Sequence, residues 1–251
     1  MNNSPQALHD KLEAALVELA STRKFLIGLS GGLDSVVLLH AMVRLRDHSG
    51  VAFQLRALHI NHQLQDQAQS WEQHCQRQCA MLGVEFISTR VEISGSTGIE
   101  NAAREARYRE FEAELLPDEE LLLAHHRDDQ METLLLRLVR GSGSRGLSGI
   151  PRSRVLGATR LLRPLLDIDR EELQSYAESE QLIWVEDHSN KDEGFDRNYC
   201  RHTLLPLIEA RWPEYRQSWS KSAVLASESE ALLQELAAID LGQIAAESKS
   251  I

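Results

Sequence analysis

Four short apolar runs, at residues 24–30, 53–60, 84–91 and 120–125, alternate along the chain with stretches whose apolar residues recur every three or four positions. Such runs between helical stretches are strands joined by crossover helices, which leaves few architectures open. Strand–helix–strand units set parallel strands side by side and cover both faces of the sheet. The predicted fold is therefore α/β, a doubly wound, Rossmann-like parallel sheet. Helices are predicted at 5–21, 34–46, 67–82, 99–116, 128–140 and 169–180, with a return to the sheet at 155–166. The first carries Leu8, Leu12, Ala15, Leu16 and Leu19 on one face, while 34–46 is apolar around most of its circumference, as a helix pressed on a sheet would be. Residues 188–201 read as polar and turn-rich. A long helix is predicted at 218–246 on the stripe Val224, Leu225, Leu232, Leu233 and Leu236. The domain reading is a catalytic domain at 1–215 and a helical C-terminal extension at 216–251.

No uninterrupted apolar run among the 251 residues approaches ~20, so no membrane span is expected. Cys75, Cys79 and Cys200 are too few for a disulfide framework, and the N-terminus lacks the pattern of a secretory signal; both point to a reducing, cytoplasmic setting. Cys75 and Cys79, beside His74, read as half-buried helix residues and not as metal ligands. A net charge of −11 argues weakly against nucleic acid as a partner. Yet between Thr133 and Leu166 stand seven arginines (137, 140, 145, 152, 154, 160 and 163) and no acidic residue. The planar guanidinium suits bidentate contact with phosphate, so this stretch is read as a phosphate track. A solvated basic face answering acidic neighbours is the alternative.

The strongest local signal is Ser30-Gly31-Gly32-Leu33-Asp34-Ser35, where the first strand gives way to a helix. Ligands of open α/β sheets bind at the carboxyl ends of strands. Two glycines allow positive φ and bring successive N–H groups toward an anion, and the helix that follows adds its own N–H groups and dipole. Ser30 and Ser35 contribute hydroxyls, and Asp34 can hold Mg2+ or a reacting ammonium group. As a bare glycine turn with Asp34 or Ser35 as helix cap, the set would arise by chance with odds on the order of one in a few thousand. It is neither G-x-G-x-x-G nor the lysine-bearing G-x-x-x-x-G-K-[ST] loop.

The hexapeptide resembles the PP-loop of the ATP pyrophosphatases, which split ATP between its α- and β-phosphates. Further blocks follow in order: His59-Ile60-Asn61-His62; residues 98–108 with Arg104 and Arg107; residues 124–133 with His125, His126, Asp128 and Asp129; residues 140–147 and then Arg163-Pro164-Leu165; residues 186–190; and Arg197-Asn198. Together they make the chain similar to the tRNA(Ile)-lysidine synthases from about residue 24 to about 206. That resemblance implies an adenine nucleotide alpha hydrolase-like fold, ATP and Mg2+ as cofactors, and tRNA(Ile) with a CAU anticodon and free L-lysine as partners. A homodimer is left open. It implies nucleotide binding by Ser30, Gly31, Gly32, Leu33, Asp34, Ser35 and His59, Mg2+ on Asp34 and Asp129, and catalysis by Asp34, Asp129, His125, Arg104 and Arg107. The implied reaction adenylates O2 of the wobble cytidine, and the lysine side-chain amine then attacks C2 and expels AMP.

The residues themselves leave alternatives open. His59, Asn61 and His62 could edge an adenine or ribose, or form a strand-end cluster satisfied by water. Arg104 and Arg107, three apart on a helix, could reach an anion or pair with Glu100, Glu105 or Glu110. His125 and His126, as neighbours in a strand, point oppositely, so with Asp128 and Asp129 they form no closed zinc site. A carboxylate holding Mg2+ or steering an amine is the reading preferred, with Asp128 as a mere helix cap the alternative. Gln65 stands where relatives carry Arg. The ending AAESKSI, straight after a helix, is read as that of a fragment lacking C-terminal modules. A tRNA thiolase would call for paired C-x-x-C thiolates, an amide-forming synthetase would not call for the arginine stretch, and a non-catalytic RNA-binding module would not call for an intact loop.

Overall fold

The computed structural model describes residues 5–19, 23–48, 52–61, 67–91, 99–187 and 192–247. Its sheet has six strands: β1 Lys24–Gly28, β2 Gln54–Asn61, β3 Glu85–Arg90, β4 Glu119–Leu122, β5 Ser153–Leu156 and β6 Thr159–Leu162. They lie in the order β3-β2-β1-β4-β6-β5, parallel throughout except for the edge hairpin of β5 and β6. The return expected at 155–166 is thus a hairpin, turned at Gly157 with a φ of +56° that favours glycine. Going outward from β1, the chain moves to β2 and β3 on one side and to β4 on the other. That reversal makes the β1/β4 boundary the place where an α/β sheet offers a crevice to a ligand.

The pleat sorts the side chains. Phe25, Ile27, Leu122 and Leu162 enter one core with α1 (Pro5–Leu19), α2 (Leu33–His48), α7 (Arg170–Ser179) and Cys75 and Cys79 of α3 (Ala68–Met81). Leu26, Leu121 and Leu161, one residue out of phase, enter the other with Phe111 of α4 (Ile99–Glu114). Two carboxylates open the buried strand β4 and are neutralised in place: Arg56 donates to Glu119 at 3.0 and 3.1 Å, and Arg160 to Glu120 at 2.8 Å. Helix α7 starts as predicted, with Asp169 and Glu172 in a capping box.

Compactness divides the chain into two units, Met1–His126 with Arg152–Asp187, and Arg127–Pro151 with His188–Ile251. The first holds the whole sheet. The second holds α5 (Arg127–Val139), α6 (Ser144–Leu147), α8 (Asp196–Tyr199), a π-helical turn at Cys200–Leu204, α9 (Leu205–Arg211) and α10 (Tyr215–Glu247). Its core is small, with Met131, Leu134, Leu205, Tyr215 and Ala223 at the centre. The stripe expected to pack α10 is instead exposed: Val224, Leu225, Leu232, Leu233 and Leu236 are all more than half accessible. Among the described residues no helix is long and apolar enough to cross a membrane.

Candidate active site

Residues 30–35 leave the carboxyl end of β1 and enter α2. Gly31 has a φ of +89°, and a Cβ there would meet Cys75 Sγ at 3.0 Å and Val185 Cγ2 at 3.1 Å. Both the conformation and the space therefore demand glycine. Two serines fasten the turn from inside. Ser35 Oγ accepts from the N–H groups of Ser30 and Gly31 at 3.2 Å each and donates to the Gly32 carbonyl at 3.0 Å. The Gly32 N–H reaches Ser30 Oγ at 3.3 Å, and the Val185 N–H reaches the Gly31 carbonyl at 2.9 Å. Leu33 is buried and anchors the first turn of α2, whose N–H groups have no intrahelical partners.

Asp34 is the group that this scaffold leaves unanswered. Its Oδ1 is buried and accepts no hydrogen bond, and its Oδ2 lies 3.6 Å from Nε2 of His126. A carboxylate oxygen removed from water without a donor is costly, and a cation or a bound donor would relieve it. Among the described residues no three His, Cys, Asp or Glu side chains converge as a metal cage. One or two carboxylates plus ligand oxygens is the arrangement Mg2+ ordinarily accepts, so Asp34 fits that ion better than a site built wholly from protein.

The two histidines, expected in a strand, lie in irregular backbone past the end of β4, and they still turn to different partners. His126 is 2% exposed and turns to Asp34, whereas His125 accepts a hydrogen bond from Arg163 Nε at 3.3 Å. The partner of Asp34 is therefore His126, a residue the sequence reading placed in the cluster without separating it from His125. His59 proves to be a buttress: it is buried, and its Nδ1 donates to the Leu29 carbonyl at 2.9 Å, bracing the residue just before the loop. Burial holds its imidazole below the ordinary value, against the opposing pull of the Leu29 carbonyl. Asn61 donates to Glu72 at 2.9 Å. His62, Gln65, Gly98 and residues 188–190 lie outside the described residues.

Arg104 and Arg107 share a neighbour, the ring of Tyr108, with guanidinium carbons 5.7 and 6.0 Å from its centroid; Arg154 stacks on it at 4.3 Å. Burial would raise the Tyr108 phenol, but the guanidiniums of Arg163, Arg104, Arg107 and Arg154 outweigh it and leave the group below its ordinary value. The result is a strongly electropositive patch on the α4 side of the sheet.

In the second unit, Glu132 is fully buried and gathers Arg197 Nε at 2.8 Å and Arg201 Nε at 2.6 Å. Both guanidiniums come within 3.8 Å of Asp129 Oδ1. Asp128 is taken by Arg216 at 2.8 Å, which makes it an ion-pair partner. Sequence reasoning singled out Asp129 but missed the carboxylate at its centre; the three-residue spacing of Asp129 and Glu132 on one helix was the available signal.

Most arginines of the stretch have partners within the protein, several of them at its surface, which leaves fewer of the seven for the expected phosphate track. Arg137 donates to the carbonyls of Gly146 and Gly149 at 2.8 and 2.7 Å. Arg140 pairs with Asp196, Arg152 with Asp167 and Arg160 with Glu120, while Arg163 is buried. The acidic partners lie outside the stretch in sequence, where counting charges along the chain could not find them. Cys75 and Cys79 are fully buried rather than half-buried, and burial pushes both thiols up to about 12.

Residues 5–208 match the family model described as a PP-loop domain. The tRNA(Ile)-lysidine synthase of Proteus mirabilis is 44% identical over 93% of this chain and 53% of its own length. That of Pseudomonas fluorescens is 48% identical over 86% of this chain and 49% of its own, and that of Yersinia pseudotuberculosis 46% over 96% and 53%. The chain thus spans about half the length of the curated relatives it matches. Among solved structures, the U34-tRNA thiolase NcsA of Methanococcus maripaludis superposes with a TM-score of 0.70 at 16% identity, over 88% of this chain and 79% of that one. NMN synthetase of Francisella tularensis does so at 0.56 and 13%, over 89% and 95%. These two likenesses are of fold alone.

Proposed function

This chain belongs to the PP-loop family, and from that premise we propose that it is the catalytic part of a tRNA(Ile)-lysidine synthase. The loop at residues 30–35 would receive the phosphates of ATP, with the first turn of α2 supplying N–H groups and positive dipole. The cytidine O2 would attack the α-phosphorus, breaking the bond to the bridging oxygen and releasing pyrophosphate. The amine of L-lysine would then attack C2, lose a proton to a carboxylate, Asp34 or Asp129, and expel AMP. Arg104 and Arg107 would answer negative charge gathering on the phosphates. Mg2+, with Asp34 as its protein ligand, would supply further charge neutralisation at the phosphoryl oxygens.

What carries the reading to this substrate, among the chemistries a PP-loop supports, is identity of 44–48% across most of the chain to relatives bearing that name. Thiolation gains nothing from the cysteines, all three of which are buried. The test is a product analysis. With ATP, L-lysine and a tRNA(Ile) transcript carrying CAU, AMP and pyrophosphate should appear in equal amounts, and the tRNA should gain the mass of lysine less water. ADP and phosphate in their place would overturn the assignment.

A further inference from the structure

A buried guanidinium lies against one of the candidate catalytic histidines and decides which ring nitrogen can act. Arg163 follows β6, is 3% exposed, and donates from Nε to His125 Nδ1 at 3.3 Å. Arginine offers five N–H donors and no acceptor, and it remains charged in proteins. In this pair the lone pair must therefore belong to His125 Nδ1, which leaves the imidazole proton on Nε2. A second proton, on Nδ1, would set two N–H groups head to head beside a buried cation.

The pair is braced from behind. Tyr108 of α4 hydrogen-bonds to the Arg163 guanidinium, and Arg154 stacks on the Tyr108 ring at 4.3 Å. The backbone fixes it too: the Leu123 N–H bonds to the Leu162 carbonyl at 3.0 Å, and the Arg163 N–H to the Arg152 carbonyl at 2.9 Å. His125 stands three residues past Leu122, whose register partner Ile27 stands three residues before Ser30. His125 and the loop thus share the carboxyl edge of two adjacent strands.

We propose that Arg163 is a positioning residue that holds His125 as the neutral Nε2–H tautomer. So held, His125 is a hydrogen-bond donor for a phosphoryl oxygen and is excluded as the base that deprotonates the lysine amine. A cation bonded to Nδ1 polarises the ring and strengthens Nε2–H as a donor, while the ring itself brings no charge that must be desolvated. The donor role rests on reading residues 30–35 as an ATP site; the tautomer does not. The proton acceptor proposed above remains a carboxylate.

The experiment is long-range proton–nitrogen NMR of the ¹⁵N-labelled chain without ligand, with the His125 signals assigned by His125→Gln. The expected spectrum has an unprotonated Nδ1 and a protonated Nε2 at His125. An Nδ1–H tautomer or an imidazolium at pH 8 overturns the proposal, whatever the chain catalyses. Arg163→Met should give a tautomer mixture and lower kcat for AMP formation about 10- to 100-fold with the KM for ATP nearly unchanged. Arg163→Lys, which restores a donor, should recover part of both. Should Arg163→Met fail to fold, His125→Gln decides. The amide keeps a donor near the place of Nε2 and cannot act as a base, so activity within about tenfold of wild type is expected. A loss equal to that of His125→Ala overturns the donor role. An Nε2–H spectrum in a wild-type chain that forms no AMP would overturn the donor role together with the ATP reading and leave the tautomer standing.

Discussion

Asp34 illustrates how little a carboxylate proposed for catalysis need contribute to the fold. One oxygen is buried without a donor and the other faces His126, so removing the side chain relieves about as much as it takes away. Asp34→Ala should abolish ATP–pyrophosphate exchange while changing unfolding free energy by no more than ~1 kcal/mol, as measured by urea denaturation. Gly31→Ala, in contrast, should cost stability. A φ of +89° and the contacts with Cys75 and Val185 predict a loss of about 1–3 kcal/mol. The thiols give a third check. With Cys75 and Cys79 pushed up to about 12, only on the order of one thiolate in 10⁴ is present at pH 8. Native protein should accordingly react with a disulfide reagent far more slowly than unfolded protein, and prompt labelling of Cys75 or Cys79 would contradict their burial. At this scale the sequence was legible where a motif carries its own geometry, as the two glycines do. It was silent on Arg163 and Glu132, whose importance comes from burial and from partners distant along the chain.

Elements were read well where periodicity is strong. The predicted helices at 34–46 and 67–82 correspond to α2 and α3 within two residues at either end. The hairpin of β5 and β6 was missed because Gly157-Ala158 is a weak turn signal inside an apolar run. The packing of α10 was misread because a stripe shows which face could be buried without supplying a partner. Between α1, α2 and α7 lies a polar knot that no periodicity announces. The hydroxyl of Tyr176 contacts His40 Nδ1 at 2.9 Å and His9 Nε2 at 3.2 Å. Burial, with the Arg44 charge assisting, holds both imidazoles below their ordinary value, while Glu180 pulls the other way. The unfolded chain therefore binds more protons than the folded one as pH drops below ~6.5. Stability should be fully present above that pH and decline below it until the folded-state values are passed. Tyr176→Phe removes the hydroxyl both rings contact and should lower stability at pH 8 by about 1–3 kcal/mol; an increase would contradict the knot.

For the whole molecule, if the chain binds tRNA as proposed, that binding should depend on salt less steeply than seven arginines would suggest, because most of them already have partners within the protein. Each phosphate contact contributes roughly −0.7 to −0.9 to the slope of log K against log salt. If the exposed Arg145 is such a contact, Arg145→Ala should reduce the slope by about that amount. Arg160→Ala should instead cost stability by removing an ion-pair partner of the buried Glu120. An unchanged slope in Arg145→Ala would remove that residue from the RNA surface. The sheet order has a consequence in time as well as in space. Ile27 and its register partner Leu122 are separated by about 95 residues, and β6 follows β4 only after about 40 more. At ~5–20 residues per second, a growing chain emerging from the ribosome carries the glycine turn for about 5–20 s before the strand that flanks it exists. Until then β1 has an unpaired edge, the kind of surface to which a chaperone, or a second nascent chain, binds first.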